Sequence, residues 1–318
     1  MRQTLAWFLI LIASTALAVS AGEVSSSAEA VCMFRAIGAQ HPDPKLRNAD
    51  TLAAKLCPLP AESASYESAR AIINLNPQHY AGFFYVNART AHIDATLLRA
   101  AREGATQVVV LGAGFDSRAY RFAASQPQLT FFEVDLPDTL AAKKQRVETL
   151  LGALPRDVRY AGIDFDHQRI EDVLPAVGYS TRARTLFILE GVSMYIGARS
   201  TESTLRFIAR NSAPGSRVVF DYAIRSAVEG PRDRLFGMTE TYEALLARGE
   251  PMVTGWTPAE AAALVVASGL VVRDDIGSEG LTQRYLIGSD GQADGRMLEG
   301  FRIIDASVPW PAPADTPD

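Results

Sequence analysis

The sequence contains few of the residues that build metal sites, disulfide frameworks or nucleophilic catalytic centres. Its 318 residues include two cysteines, Cys32 and Cys57, and four histidines. The cysteines form no CxxC pair and have no histidine cluster beside them, so no metal site is expected. No Gly-x-Ser-x-Gly segment is present, so hydrolase chemistry has no support. The cysteines are expected to be buried thiols, or a disulfide if the chain is exported.

The chain also lacks blocks of basic residues. Lysine and arginine number 31 against 36 aspartates and glutamates, which gives a formal net charge of -5. The protein is therefore not expected to bind nucleic acid. With 48% hydrophobic and 21% charged residues, the composition is that of a globular protein whose partner is a small molecule or a protein.

Long apolar runs are absent except at the N-terminus. There, Arg2 precedes an apolar stretch that is shorter than the roughly 20 residues of a membrane-spanning helix, and small residues follow it up to Ala21. This pattern is typical of a secretory signal. Residues 1–21 are therefore predicted to be a signal peptide or membrane anchor, so that the chain is exported or membrane-tethered. The alternative is an ordinary first helix in a cytoplasmic protein.

After a mainly helical region, the apolar pattern changes to an alternation of strands and helices. The predicted strands cover residues 107–111, 129–134, 158–161, 185–189, 217–222, 270–274 and 284–287. This alternation predicts an α/β fold with a doubly wound, mostly parallel seven-stranded sheet of the Rossmann-like kind. Residues 22–104 are predicted to form an N-terminal helical cap, residues 105–290 the α/β domain with an insertion at about 224–256, and residues 291–318 a C-terminal tail.

The first predicted strand runs into a glycine turn, Gly112-Ala113-Gly114. Glycines at this place let the backbone approach a ligand closely. The third glycine of a dinucleotide fingerprint is replaced by Ser117, and no Walker lysine follows. Glu133 and Asp135 end the second predicted strand, where an acid can bind the hydroxyls of a ribose. These residues indicate an adenine nucleoside, and both NAD and S-adenosyl-L-methionine satisfy that description.

Four motifs occur in one order along the chain and carry a more specific resemblance. They are Arg89-Thr90, the segment from Val110 to Arg118 with sequence VLGAGFDSR, the segment FEVD that ends at Asp135, and the segment LEGVSMYI that begins at Leu189. This series resembles the leucine carboxyl methyltransferase family, which includes polyketide O-methyltransferases. The resemblance implies a class I S-adenosyl-L-methionine-dependent methyltransferase and covers most of the chain.

The resemblance also implies which residues bind the cofactor. Arg89 binds the carboxylate of its methionine part, Gly112, Ala113 and Gly114 lie along that part, and Glu190 binds its amino group. Asp135 binds the ribose, and Asp164 and Phe165 lie at the adenine. The charges suit this assignment, because an arginine fork matches a carboxylate and an acid matches an ammonium group.

The expected reaction is O-methylation of a carboxylate or hydroxyl on a small-molecule acceptor. No catalytic residue is assigned, although Tyr195, Tyr222, His79 and His92 are candidates for the acceptor side. We also hypothesise that the acceptor is covered by aromatic and apolar residues of the insertion, namely Phe236, Met238, Tyr242 and Trp256. The alternatives are an NAD-dependent oxidoreductase and an exported, non-catalytic nucleoside-binding protein.

Overall fold

The structure is a computed structural model, and it describes residues 26–57, 65–164 and 168–311. The predicted signal at residues 1–21, Phe165 and the last seven residues lie outside the described residues.

The centre of the molecule is one seven-stranded sheet with the strand order β3-β2-β1-β4-β5-β7-β6. Its strands are β1 (Gln107–Leu111), β2 (Thr130–Asp135), β3 (Val158–Gly162), β4 (Thr185–Leu189), β5 (Arg217–Ala223), β6 (Val271–Ile276) and β7 (Phe301–Ser307). Strands β1 to β5 pair in parallel, whereas β7 is antiparallel to both β5 and β6. The predicted mostly parallel, doubly wound sheet is confirmed.

The last strand is a correction to the sequence prediction. Residues 284–287 were expected to form a strand, but helix Ser278–Tyr285 includes the first two of them. The spacing of Leu281, which is fully buried, and Tyr285 is the i, i+4 spacing of one helical face. The true last strand, Phe301–Ser307, lies within the predicted C-terminal tail. This strand lies between two other strands, and residues on both of its faces are buried. Its sequence therefore lacks the clean alternation of apolar and polar residues that would identify a strand.

The helices pack on both sides of the sheet. They are α1 (Ser26–Gly38), α2 (Ala53–Leu56), α3 (Tyr66–Leu75), α4 (Ala81–Arg102), α5 (Arg118–Phe122), α6 (Pro137–Leu151), α7 (Ile170–Val173), α8 (Ala198–Arg210), α9 (Arg225–Glu229), α10 (Met238–Ala247), α11 (Pro258–Ala267) and α12 (Ser278–Tyr285). Helix α6 begins at a proline and ends before Gly152, which has a φ of 79°. Both features are standard helix boundaries.

Helix α4 is the element that carries polar side chains into the core. Its 22 residues include Arg89, Thr90, His92, Asp94 and Thr96, all of them buried. The helix packs against one face of the sheet, with Ile93 and Leu97 in the same apolar cluster as Val108 and Val110 of β1. In the described ranges no helix is both long and apolar enough to cross a membrane.

The order of the strands locates the ligand crevice. Strand β1 lies between β2 and β4, so the chain leaves β1 toward one edge of the sheet and later returns to its other side. In open α/β sheets a ligand binds outside the carboxyl ends of the strands at such a point. The glycine turn after β1 and the acids after β2 and β4 all lie at this edge.

Candidate functional site

The glycine turn after β1 has the backbone geometry that glycine permits. Gly112 has a φ of 70° and Gly114 a φ of 37°. A Cβ on Gly112 would lie 2.5 Å from Cγ2 of Val192, in the turn after β4. The amides of Gly112 and Ala113 both donate to the carbonyl of Val134, at 2.8 and 3.1 Å. The turn is therefore packed against the ends of both neighbouring strands.

Asp135 lies beside this turn, as the sequence predicted. Its carboxylate accepts hydrogen bonds from the Gly114 amide at 2.6 Å and from the Leu136 amide at 2.7 Å. Burial raises the pKa of Asp135, and the two amide donors oppose that shift. Each oxygen accepts one of these bonds, which leaves acceptor capacity on both. The ribose role of Asp135 stays a prediction.

Glu133 has a different role from the one its spacing suggested. It is fully buried, its Oε1 lies 2.8 Å from Nζ of Lys143, and its Oε2 accepts from the Tyr120 hydroxyl at 2.9 Å. Lys143 also donates to the Ala113 carbonyl at 3.2 Å. Burial raises the pKa of Glu133, and Lys143 opposes the rise. Glu133 is therefore an internal ion-pair partner beneath the glycine turn and not a ribose ligand.

The structure brings Arg89 and Glu190 together on the other side of the turn. Nε of Arg89 lies 3.0 Å from Oε1 of Glu190. Burial opposes ionisation of Glu190, but Arg118, Arg89 and Arg35 outweigh it and lower its pKa to about 2. An ionised acid and a guanidinium, whose side chains are 8% and 6% exposed, thus lie next to the turn that was predicted to hold a zwitterion.

These two residues belong to a larger buried ionic network. Arg118 contacts Asp94 at 2.7 Å and Glu190 at 2.6 Å, and it also pairs with Asp116. Arg121 continues the network, because it contacts the other oxygen of Asp94 at 2.8 Å. Among the residues that the structure describes, the network contains four arginines and five carboxylates, namely Arg35, Arg89, Arg118, Arg121, Asp50, Asp94, Asp116, Glu190 and Asp221.

A buried network of this kind is not explained by stability alone. Removing charges from water costs several kcal/mol for each ion, and apolar side chains of similar volume are often no less stabilising. Strongly shifted ionisable groups cluster at functional sites. Burial opposes ionisation of Asp116, but Arg118 and Lys143, together with a hydrogen bond from the Arg118 amide, outweigh it and lower its pKa. The network therefore marks the carboxyl edge of β1 and β4 as the candidate site.

The predicted adenine side is only partly described. Asp164 follows β3 and is half-buried, and its amide donates to Oε1 of Gln168 at 3.0 Å. The neighbouring Ile163 amide donates to the Asp135 carbonyl at 2.9 Å, so the ends of β2 and β3 are joined. Phe165 lies outside the described residues. The adenine role of Asp164 and Phe165 stays a prediction.

Helix α1 covers the glycine turn. Cβ of Ala28 lies 4.0 Å from the place where a Cβ of Gly114 would stand. Phe115, the next residue, packs into an apolar cluster with Cys32, Ala36 and Ala53. The predicted helical cap thus lies directly over the predicted cofactor loop.

The two cysteines tie this cap together. Cys32 of α1 and Cys57, which follows α2, form a disulfide with an S–S distance of 2.04 Å. The expectation of buried free thiols was therefore wrong. The first turn of α1 has a further contact, because the Ser27 amide donates to Oε2 of Glu250 at 3.2 Å.

The residues proposed for the acceptor side do not form one group. Tyr222 faces away from Arg89, in the apolar cluster on the other face of the sheet, and donates to Asp275 at 2.9 Å. Nδ1 of His92 lies 3.1 Å from the Tyr285 hydroxyl. Burial lowers the pKa of His92 to about 4, so this imidazole is neutral at pH 7.

The insertion residues also divide between core and surface. Met238 is fully buried, and Trp256 packs on the sheet face opposite to Arg89. Phe236 and Tyr242 are half-buried, and the guanidinium of Arg232 lies 3.5 Å from the Tyr242 ring centre. The hypothesis that all four residues cover one acceptor is therefore wrong for Met238 and Trp256.

Several residues of the site escaped the sequence reasoning. The clearest is Asp221, a fully buried acid within strand β5. Its signal in the sequence is a single carboxylate inside the apolar run from Val218 to Ala223. Arg118 and Asp116 were quoted as part of a motif without a role, and their role is to join Glu190 to the rest of the network.

Comparison with known proteins agrees with this geometry. The family model for leucine carboxyl methyltransferase matches residues 28–209, more than half of the 318 residues, and every predicted cofactor-binding residue lies within that range. A protein of Mycobacteroides abscessus is 30% identical over 71% of this chain and 72% of its own length. YktD of Bacillus subtilis is 29% identical over 62% of this chain. Both are named "Putative S-adenosyl-L-methionine-dependent methyltransferase".

Two further comparisons define what this similarity covers. The chain spans 64% of the length of YktD and 44% of a 40% identical relative from Parafrankia. A solved structure of a DUF574 family protein from Streptomyces avermitilis superposes with a TM-score of 0.55 at 14% identity, covering 94% of this chain and 100% of that one. That superposition supports the fold. Because the family model covers most of the site and more than half of the sequence, the chain belongs to the leucine carboxyl methyltransferase family.

Proposed function

We propose that this protein is a methyltransferase that binds S-adenosyl-L-methionine at the glycine turn and methylates an oxygen of a small-molecule acceptor. The observation that carries the proposal is the pairing of Arg89 with Glu190 beside Gly112–Gly114, at the strand ends where the order of the sheet reverses. A buried cation and a buried anion at this place match the carboxylate and the ammonium group of the methionine part. Membership of the family supports the same assignment.

The residues present fit that cofactor. Gly112 and Gly114 adopt positive φ angles that glycine tolerates, and neither has a side chain that would fill the turn. Each Glu190 oxygen already accepts an arginine bond, and each has a second lone pair that an ammonium group can use. When bound, the cofactor supplies an activated methyl group, whose carbon–sulfur bond breaks with the electron pair remaining on sulfur. The protein's task is to hold this group in line with the acceptor oxygen and to exclude water.

A cavity supports a small acceptor. It has a volume of about 540 Å³ and lies at the carboxyl ends of β5 and β6 and at the start of β7. Its lining combines apolar and charged side chains, including Ile224, Leu235, Phe301, Arg225, Glu299 and Arg302. Cavities of roughly 300–1,000 Å³ hold ligands of small-molecule size.

The cofactor is tested by calorimetric titration of the purified chain with S-adenosylhomocysteine. We expect binding in the micromolar range and at least about tenfold weaker binding by Arg89→Ala, because the methionine carboxylate loses a charged hydrogen bond. Arg99→Ala is the matched control, since Arg99 lies on the same helix, is 43% exposed and pairs with Asp305. A folded protein that binds NAD and not S-adenosylhomocysteine would contradict the proposal in favour of an oxidoreductase.

The acceptor class is tested with cofactor that carries a labelled methyl group. The enzyme is incubated with a panel of small carboxylic acids and phenols, and the labelled products are then treated with alkali. A methyl ester releases its label as methanol, whereas a methyl ether keeps it. Label that is transferred only to nitrogen or carbon would contradict O-methylation.

We also propose that the chain is exported or membrane-tethered through residues 1–21. The Cys32–Cys57 disulfide supports this, because such bonds persist mainly in oxidising compartments. Fractionation of cells that express the chain with and without residues 1–21 tests the proposal. Recovery of the full chain in the cytosol with Met1 retained would overturn it and leave a cytoplasmic enzyme.

A further inference from the structure

Asp221 of β5 makes three contacts that converge on the candidate site. Its Oδ2 accepts from Nη1 of Arg89 at 2.5 Å and from the Tyr85 hydroxyl at 3.0 Å. Its Oδ1 accepts from the Gly191 amide at 2.6 Å. One carboxylate thus joins strand β5, helix α4 and the turn that follows β4.

The other two partners of Asp221, Tyr85 and Gly191, both lie beside Arg89. Tyr85 and Arg89 are four residues apart on α4 and therefore lie on the same helical face. The Arg89 guanidinium carbon lies 5.3 Å from the centre of the Tyr85 ring. Burial, and next the charge of Asp221, raise the pKa of Tyr85, so its hydroxyl stays protonated and donates. Gly191 directly follows Glu190, so the same carboxylate also holds the turn that carries the second predicted ligand.

Ion-pair geometry divides the Arg89 guanidinium between two acids. Nε faces Glu190 and Nη1 faces Asp221. A Cβ built on Gly191 would lie 3.6 Å from Nη1 and 3.8 Å from Nη2, so this part of the guanidinium faces the turn after β4. Because two of its nitrogens are paired with acids, the planar guanidinium is held in one orientation. Of these two acids, Glu190 lies in a sequence motif and Asp221 does not.

We propose that Asp221 is a positioning residue, which fixes Arg89 in the orientation that receives the carboxylate of the cofactor. The inference rests on the proposed function, and it concerns a residue beyond position 209, where the match to the family model ends. This role requires no contact between Asp221 and the cofactor. It acts through Arg89 and through the Gly191 amide.

An alternative is that Asp221 contributes only to stability, and strand β7 offers a matched residue to separate the two. Asp305 is also buried, faces the same side of the sheet and pairs with Arg217 and Arg99. Its described partners do not include Arg89, Tyr85 or Glu190. Asp305→Asn and Asp221→Asn therefore both remove a buried charge, but only the second changes the surroundings of Arg89.

Asparagine at position 221 has the shape of aspartate but only one accepting end. Its amide nitrogen must face either the Gly191 amide or the Arg89–Tyr85 pair, and all of these are donors. The loss of one negative charge near Arg89 would by itself favour an anionic ligand. We expect the donor conflict to dominate, because it displaces the group that binds.

The test is calorimetric titration of S-adenosylhomocysteine into five full-length proteins, namely the wild type, Asp221→Asn, Asp305→Asn, Arg89→Ala and the double variant Arg89→Ala/Asp221→Asn. We expect Asp221→Asn to raise Kd about tenfold, equal to about 1.4 kcal/mol, and Asp305→Asn to change it less than about twofold. In the Arg89→Ala background, Asp221→Asn should change Kd less than about threefold. Thermal unfolding of each protein without ligand measures the structural cost separately.

Three results would overturn the inference. The first is a Kd for Asp221→Asn that is equal to or lower than that of the wild type. The second is an equal rise in Kd for Asp305→Asn. The third is that Asp221→Asn raises Kd by the same factor with Arg89 present and with Arg89 replaced by alanine. If Asp221→Asn fails to fold, Tyr85→Phe replaces it, since that variant removes one of the contacts around Arg89 and keeps the charge. Failure of Arg89→Ala to weaken binding would instead contradict the proposed cofactor site, so the two failures are distinguishable.

Discussion

Arg35 of helix α1 donates a hydrogen bond from Nη2 to the backbone carbonyl of Phe115, over a distance of 2.7 Å. The same guanidinium lies 2.9 Å from Oδ2 of Asp50. The cap is thus joined to the glycine turn through a buried charge as well as through apolar packing.

Replacement of Arg35 by methionine should loosen the cap. It removes the bond to Phe115 and leaves Asp50 with Arg121 as its described ionic partner, at 3.7 Å. Removal of one partner of a buried ion pair costs about 3–5 kcal/mol. We expect the free energy of unfolding to fall by that amount and the amides of α1 to exchange faster with deuterium. Arg47→Met is the control, because the side-chain hydrogen bonds of Arg47 within the described residues go to the carbonyls of His41 and Pro42. Equal exchange in both variants would contradict the prediction.

Glu190 should make the stability of the protein depend on acid pH. Its pKa is about 2 in the fold against 4.5 for a free glutamate. A group whose pKa is depressed by folding stabilises the fold above its unfolded pKa, and this contribution is lost as pH falls from about 4.5 to 2. The shift corresponds to about 3 kcal/mol. We expect urea unfolding between pH 5 and 3 to show a smaller pH slope for Glu190→Gln than for the wild type, and equal slopes would refute the assignment.

The disulfide should stabilise the protein measurably. It closes a segment of 25 residues in sequence separation, and the chain-entropy relation gives about 3–4 kcal/mol for such a loop. We expect a reducing agent to lower the urea midpoint of the wild type. The double variant Cys32→Ser/Cys57→Ser should have the lower urea midpoint from the start, and the reducing agent should not change it. A wild type whose midpoint is unchanged although both thiols have been shown to be reduced would show that the bond contributes nothing.

Lys143 should be required for the charge of Glu133. Lys143→Met leaves a fully buried carboxylate without its cation, which costs about 3–5 kcal/mol. Because burial raises the pKa of Glu133, lower pH neutralises it, and the deficit should shrink as pH falls from 8 to 5. Unfolding curves of the wild type and the variant at pH 8 and pH 5 measure this stability deficit. Lys144→Met, at the next position, changes a residue over the Tyr160 ring and should cost less than about 1 kcal/mol at both values.

Most of the sheet could be predicted from sequence because its strands are short apolar runs that end in glycines or acids. Six of the seven predicted strands overlap observed ones, and the seventh failed because Arg284–Ile287 contains apolar residues of a helical face. Strand β7 was missed because it is antiparallel and inserted between β5 and β6, a pairing that no local pattern encodes.

The site was predicted where a motif marks it and missed where only the fold assembles it. Arg89 and Glu190 are 101 positions apart and could be paired only through a family resemblance. Asp221 and Asp94 carry no motif, and their roles depend on which strand and helix lie next to Arg89 and Arg118. The disulfide was left open for a related reason, since spacing alone does not bring Cys32 within bonding distance of Cys57.

The arginines of the buried network are each bonded to more than one chain segment, and this has a consequence for how a ligand is received. Arg89 is held by groups of β5 and of the turn after β4, and Arg118 by groups of α4 and of the turns after β1 and β4. Side chains held in this way have already lost their rotamer freedom in the folded protein. Preorganisation of this kind lowers the entropic cost of association. Ligand capture should therefore require little rearrangement of the network.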